Sequence, residues 1–482
     1  MNKHYFLLLA GIFLFFSLRG VAQQPGDAGV TEIIILHAND MHAKIDNLSK
    51  LAYLADSLRK LHPYVFLVAA GDNFTGNPVV DMIPDKGYPM IDLMNRCGFN
   101  LSCIGNHEFD MGQELLNKRV AQAKFPFISC NIDAAGAVLK QPRPYVVLNA
   151  GKDISLAFLG ILELNDQGIP DSHPSNLKGL KFTNGLAKAR EFSWLKEKYG
   201  ILIGLTHLGI EDDVKLADSM PQFDLIIGGH SHTVIEKPMI ENGVMILQAG
   251  ANLKYIGKTT IKVKNGKVVD RAIELIAMNS LKNVNTEIQS LIDKYNQNEE
   301  FSKVVGVAEV PMTGYDELGS LMCDAMTNCL KIDFAFQNKG GIRVLSLPKG
   351  DITLKNIYQL DPFGNKVVVF NLNPSEIQSL ICYAFNIEKN IDLQVSGMTY
   401  TVKTNADGSC KEVEMLDPSG KPLDPSRDYS VGISTFVAVT YLFDHRDPGT
   451  ASPSTSAGCL IDYLKEVKKV NYSGIRRAEI LR

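Results

Sequence analysis

No segment of this chain beyond its N-terminus approaches the roughly 20 consecutive apolar residues that a membrane-spanning helix requires, so no membrane span is expected. Basic excess is missing as well. The 49 Lys and Arg stand against 53 Asp and Glu, a formal charge of −4, which leaves no field for long nucleic acid. The eight cysteines are even in number but never fall in CxxC spacing, and none follows the N-terminal apolar run closely enough to suggest a lipid anchor. An export signal permits disulfides, yet in a chain of 482 residues isolated buried thiols are at least as frequent. There is no internal repeat.

What is present begins with a leader. Lys3 precedes an apolar run from Phe6 to Phe16, and Gly20-Val21-Ala22 offers small residues for cleavage, so residues 1–22 read as a signal peptide and the mature protein as periplasmic or secreted. Its removal takes away Lys3 and Arg19 and moves the formal charge from −4 to −6. The length exceeds what one core supports and predicts two or three domains, with an ordinary globular composition of 45% apolar and 21% charged residues. Over residues 30–284 strand-like runs alternate with helix-like ones such as Leu48-Leu51-Leu54-Ala55-Leu58 and Leu186-Ala189-Phe192-Leu195, which predicts a layered α/β or αββα domain. A polar, helical stretch over 285–300 reads as a connector. Residues 301–482 have another texture, with helices over Leu318–Leu330 and Pro374–Ala384 and strands over Phe334–Phe336, Leu393–Val402 and Tyr429–Ser434. Asp447–Gly458, rich in Pro, Ser, Thr and Gly, reads as a surface loop.

Five short apolar runs in the first half, Thr31–Leu36, Val65–Ala69, Leu101–Ile104, Ile201–Leu205 and Leu225–Ile227, read as buried strands. Each runs out into polar residues: Asp40-Met41-His42, Gly71-Asp72, Gly105-Asn106-His107-Glu108, His207, and Gly228-Gly229-His230-Ser231-His232. In layered α/β folds the carboxyl ends of strands converge on one rim, so five such loops can assemble one site. A hard or borderline divalent ion takes carboxylate oxygen and imidazole nitrogen, and two ions about 3.5–4 Å apart need a bridging carboxylate. Asp72 is the expected bridge. Asp40 and His42 lie two apart and can reach one ion, with His232 completing its shell, while Asn106, His207 and His230 hold the second. The set contains no thiolate, which favours Zn or Mn over a structural Cys-zinc site. Asp40 and Asp72 leave two divalent ions undercompensated, so an anionic phosphate is drawn in and bound water is acidified to a pKa of about 7. His107 and Asp110, three apart at a helix start, can touch. Asp110 would hold the imidazole as a cation, and His107 would stabilise phosphoryl oxygens or protonate the leaving group. Each motif is weak alone, and their joint occurrence at strand ends carries the reading. Glu108 is expected to be structural, and His4, His62, His173 and His445 are not placed as ligands.

Ile35-Leu36-His37-Ala38-Asn39-Asp40-Met41-His42-Ala43 and Gly105-Asn106-His107-Glu108-Phe109-Asp110 resemble the calcineurin-like metallophosphoesterases, and specifically the 5′-nucleotidase family of secreted enzymes. That resemblance implies a four-layer αββα catalytic domain over 30–284, a helical linker over 285–300 and a smaller α/β substrate-binding domain over 301–482. It implies a small-molecule nucleotide as substrate, with hydrolysis of 2′,3′-cyclic nucleotides, 3′-nucleotides or UDP-sugars as alternatives. From another class, a metal-retaining binding protein for phosphorylated ligands remains open. In Asn338-Lys339-Gly340-Gly341-Ile342-Arg343 the resemblance makes Asn338 face the nucleoside and Arg343 the phosphate, beside glycines that admit a ligand to the backbone. Phe363 and Phe436 are implied as two aromatic walls around a base, although the residues alone favour core positions for both. Two departures stand out. The family's ribose-binding acid is absent at Leu442, with none until Asp444, and Val304–Ser320 holds neither Arg nor Lys where the family places Arg.

Overall fold

The computed structural model describes residues 29–481, and the leader read over residues 1–22 lies outside them. The first domain is built on two six-stranded sheets. In one, Val30–Ala38, Val65–Ala69, Leu101–Cys103 and Phe127–Ile128 run parallel in that order, and the long antiparallel pair Tyr255–Lys264 and Lys267–Ala277 closes the far side. In the other, Ser155–Leu162, Gly200–His207, Leu225–Ile227 and Val244–Leu247 run parallel between antiparallel edges at Tyr145–Asn149 and Met239–Glu241.

Alternation along each strand sorts the side chains into layers. Ile33, Ile35, Val68 and Leu101 of one sheet meet Phe158, Ile203, Leu205 and Ile227 of the other in a central core. Ile34, Leu36 and Leu67 face outward onto helices Leu48–Leu61 and Tyr88–Cys97, while Ala157, Leu159 and Leu202 face helices Trp194–Tyr199 and Ile210–Ser219. The result is the four-layer αββα arrangement. Because both faces are covered, the strands are continuously apolar, and the carboxyl ends of the parallel strands of both sheets open onto one rim.

Four local features differ from the sequence reading. The helix Thr286–Asn296, within the expected linker, docks on the first domain. Asn285 caps it, Ile288 and Ile292 join the core under Leu48–Leu61, and Ser49 Oγ donates to Gln289 at 2.6 Å. The run Leu186–Leu195 divides into helices Gly185–Arg190 and Trp194–Tyr199, because the amides of Phe192, Ser193 and Leu195 bond three residues back and tighten the chain between them. Leu393–Val402 is two strands in two sheets, turned at Gly397 with φ 84°. Within Asp447–Gly458, Thr450–Thr455 is an edge strand, a position that tolerates Pro453.

The second domain centres on a five-stranded sheet in the order Leu393–Ser396, Phe334–Asn338, Tyr429–Ser434, Lys366–Leu372, Thr450–Thr455. Helix Pro374–Glu388 covers one face through Ile377, Leu380 and Ile381. Helices Gly314–Leu330 and Ser456–Val467 cover the other around Cys323, Met326 and Cys459. Cys382 and Cys410 form a disulfide, while Cys97, Cys103, Cys130, Cys323 and Cys459 are buried free thiols and Cys329 is a half-buried one. No helix among the described residues is long and apolar enough to cross a membrane.

Candidate active site

Every ligand-type residue of the first domain lies at or just after a strand end on the shared rim. The loops after Val30–Ala38 and Val65–Ala69 are zipped together by backbone bonds from Asp40, His42 and Ala43 to Gly71, Asp72 and Asn73, at 3.1, 3.0 and 2.8 Å. Asp40, His42, Asp72, His230 and His232 all lie in the left-handed region, with φ between 46° and 78°. Each such residue costs of order 1–3 kcal/mol, and such outliers cluster where a site is over-determined by its surroundings. The glycines in front of the ligands serve space. A Cβ at Gly71 would lie 2.6 Å from His207 Nδ1, one at Gly105 2.9 Å from His207 Nε2, and one at Gly229 2.8 Å from His207 Nδ1. The GD, GNH and GGH pairings of the sequence follow from this crowding.

The donor atoms converge. His42 Nε2 lies 2.9 Å from His232 Nε2, and His232 Nε2 lies 3.4 Å from Asp40 Oδ1. His207 Nε2 lies 3.1 Å from Asp72 Oδ2 and 3.1 Å from Asn106 Oδ1, which in turn is 3.2 Å from His230 Nδ1. Ligands about 2.1 Å from one ion stand about 3.0–3.4 Å apart, so these separations fit shared ions, and paired imidazole Nε2 atoms beside carboxylates are the donor chemistry of a divalent cation. Asp40 and Asp72 join three-residue clusters with His42, His107, His207 and His232, and the buried clusters are compatible with a binuclear site. Of the remaining histidines, His62 pairs with Glu32, His173 with Ser175 and His445 with the Asp447 carbonyl, and none of the three joins these clusters. His4 is outside the described residues.

Supporting bonds orient the set. The Ala70 carbonyl is 2.7 Å from His207 Nδ1, leaving Nε2 to face the carboxylates. Glu108 points away from the cluster and accepts the amides of Asp72 (2.9 Å), Asn73 (2.7 Å) and Gly105 (2.6 Å), which shape the turn that presents Asp72. Burial pushes the Glu108 carboxyl up to about 7, with the nearby Asp72 charge adding to it. Burial opposes charge on His207, yet Asp72 and Asp40 outweigh it and push its pKa up to about 10. Burial likewise opposes charge on His107, but Asp110, 2.6 Å from its Nδ1, together with Asp72, raises its pKa above the usual histidine value. His42 goes the other way, held well below it first by burial and then by Arg343.

That last effect crosses between domains. Arg343 Nη2 lies 3.1 Å from His42 Nδ1 and 3.0 Å from its Nε2. Phe363 stacks on His107 with ring centroids 5.8 Å apart at 26°, under the Arg343 guanidinium, 5.7 Å from its centroid. Gln167 Nε2 donates to the Thr440 carbonyl at 2.8 Å, tying the loop after Ser155–Leu162 to the helix Thr435–Thr440 that carries Phe436. Phe436 itself packs half-buried against the second-domain core. Asn338 ends its strand fully buried, and a Cβ at Gly341 would come within 3.0 Å of its Oδ1 and one at Gly340 within 3.2 Å of its Nδ2. Near the missing ribose acid, Leu442 is exposed and Asp444 pairs with Ser379, whereas Tyr441 donates to Asp392 at 2.6 Å. The sequence reading missed Glu163 and Asp171, which group with His230. Glu163 also ends a strand on the rim, and that position was its signal.

A model of the calcineurin-like phosphoesterases matches residues 33–234, and one of the 5′-nucleotidase C-terminal domain matches residues 304–440. The chain belongs to the 5′-nucleotidase family. That family is one of metallophosphoesterase hydrolases. The chain is 27% identical to a 5′-nucleotidase of Vibrio cholerae over 93% of this chain and 94% of that relative. It is also 27% identical to Endonuclease YhcR of Bacillus subtilis over 84% of this chain, and spans 37% of that relative's length. Among solved structures, the 5′-nucleotidase precursor of Thermus thermophilus superposes with a TM-score of 0.83 at 24% identity, covering 94% of this chain and 99% of that one, a likeness of fold.

Proposed function

We propose that this family member releases phosphate from nucleoside monophosphates outside the cytoplasm, using a pair of divalent ions, Zn or Mn. In this reading Asp40, His42, Asp72 and His232 hold one ion, and Asp72, Asn106, His207 and His230 the other. Such a pair supplies Lewis acidity and water acidified to a pKa of about 7. The rest is the work of side chains. His107, kept cationic by Asp110, faces the phosphoryl oxygens and the leaving oxygen, where a positioned acid contributes about 10²–10⁴ in rate. Arg343 offers a planar fork to the phosphate. Phe363 and Phe436 flank the base and Asn338, Gly340 and Gly341 line its approach. The Cys382–Cys410 disulfide supports an extracytoplasmic setting.

The observation that carries this reading is the meeting of Arg343 and Phe363 with His42 and His107, which brings residues of the second domain to the ion-binding rim. A binding protein that only retained ions would have no use for a His107–Asp110 pair at 2.6 Å. The test is phosphate release from AMP, UMP, a 2′,3′-cyclic nucleotide, UDP-glucose and an aryl phosphate, with Mn²⁺ or Zn²⁺ and after chelation. Turnover of AMP and UMP that vanishes on chelation is expected. Hydrolysis of the aryl phosphate without any nucleotide would replace the substrate class, and full activity after chelation would overturn the ion-dependent reading.

A further inference from the structure

The loop from Glu163 to Ser172 touches the rim without supplying any of the seven ligand-type residues. Glu163 is 4% exposed and sits where strand Ser155–Leu162 ends beside His207, whose carbonyl accepts the Glu163 amide at 2.9 Å. Its Oε1 accepts the backbone N–H of Asp171 at 2.8 Å. The Asp171 carbonyl then accepts from Asn106 Nδ2 at 2.9 Å. A carbonyl can only accept, so this bond settles which end of the Asn106 amide is nitrogen and turns Oδ1 toward His207 and His230. The carboxylates of Glu163 and Asp171 also stand within 4.8 Å of a ring nitrogen of His230. One buried carboxylate therefore bears on two residues assigned to the same ion.

We propose that Glu163, acting through Asp171, is a positioning residue that sets the affinity of the second ion by orienting Asn106 and His230, without touching the ion itself. The inference rests on the two-ion reading above. It explains an otherwise costly feature, a carboxyl group only 4% exposed, whose burial is offset by the Asp171 amide it accepts. Groups that orient a metal's ligands alter affinity about 10- to 100-fold when removed.

The experiment is a binding isotherm of Mn²⁺ on the metal-stripped full chain, resolved into two constants, for the parent, Glu163→Ala, Glu163→Gln and Asp171→Ala. Glu163→Ala should weaken one constant about 10- to 100-fold and leave the other within about threefold. Glu163→Gln keeps an oxygen to accept the Asp171 amide and should restore the weakened constant to within about fivefold. Asp171→Ala, at an exposed position that does not threaten folding, keeps the carbonyl to Asn106 but loses the carboxylate facing His230, and should weaken the same constant by about tenfold. The proposal is overturned if both constants of Glu163→Ala and Asp171→Ala match the parent, if both fall together, or if the Gln variant binds no better than the Ala variant. A parent that binds fewer than two ions would overturn the two-ion reading instead.

Discussion

Gly229→Ala adds one methyl group in the angle between the two sheets. Its φ lies outside the left-handed region, so alanine meets no backbone penalty there and the effect is purely one of space. The new Cβ would stand 2.5 Å from the Ala70 carbonyl oxygen, 2.8 Å from His207 Nδ1 and 3.2 Å from Asp40 Oδ2. Ordinary contact requires about 3.5 Å, so the His207–Ala70 bond and the strand end must open by about 0.7–1 Å. Overpacking of this kind costs about 1–3 kcal/mol of stability. Function suffers more, since ligands need placement within about 0.5 Å and a 1 Å error costs about 10²-fold. Metal content by elemental analysis, with aryl phosphate kinetics alongside, should show a weakened ion site and kcat/KM lower by about 10²-fold. Gly136→Ala is the control, at φ 87° with nothing within 4 Å of the new Cβ, where about 1 kcal/mol of strain should leave ion content and rate unchanged. A Gly229→Ala protein with full ion content and kcat/KM within threefold of the parent would refute the crowding argument.

His107→Ala should lower kcat by about 10²-fold or more while elemental analysis finds the ion content unchanged; loss of ions would make His107 a ligand. Phe363→Ala should raise KM for AMP about 5- to 150-fold, the value of one stacking contact, and affect KM for the aryl phosphate less. With the ribose acid absent at Leu442, AMP and dAMP should be turned over within about tenfold of each other in steady-state assays. Asp324→Ala should cost about 2–4 kcal/mol in denaturant unfolding, because Arg477 (2.6 Å), Tyr472 (2.8 Å) and Ser396 (2.5 Å) lose their shared partner. Burial works against the charged Asp324, but these partners hold its pKa below the ordinary value, so its contribution is complete above about pH 4 and disappears as pH falls through the folded pKa. Parent and variant should converge in stability on acidification, and a gap undiminished at pH 2 would contradict the pairing.

The strand ends of the first domain were legible because a strand covered on both faces leaves an uninterrupted apolar run, and the polar residues that end it stand out. Val65–Ala69 and Leu225–Ile227 match their expected bounds for that reason. The expected loop Asp447–Gly458 hid an edge strand because Thr450–Thr455 pairs on one side only and tolerates Pro453, so neither apolar periodicity nor proline betrays it. Leu393–Val402 read as one strand because the turn at Gly397 depends on a backbone angle that no neighbouring residue announces. Glu163 and Asp171 escaped because their relation to Asn106 is made by a backbone carbonyl, which carries no side-chain signature. The meeting of Arg343 with His42 is a long-range contact between residues 301 positions apart, beyond the reach of local pattern.

The candidate ligands are divided between the sheets: Asp40, His42, Asp72 and Asn106 leave the first, and His207, His230 and His232 leave the second. On the proposed assignment, neither half alone completes a coordination shell. A chain emerging from its N-terminus carries four of the seven residues long before the others exist, and the left-handed turns at Asp40, His42 and Asp72 are zipped to one another by backbone bonds within the first 73 residues. If these residues hold ions as proposed, a complete shell would form only once the two sheets have closed on each other, so ion capture would follow folding of the first domain and not precede it.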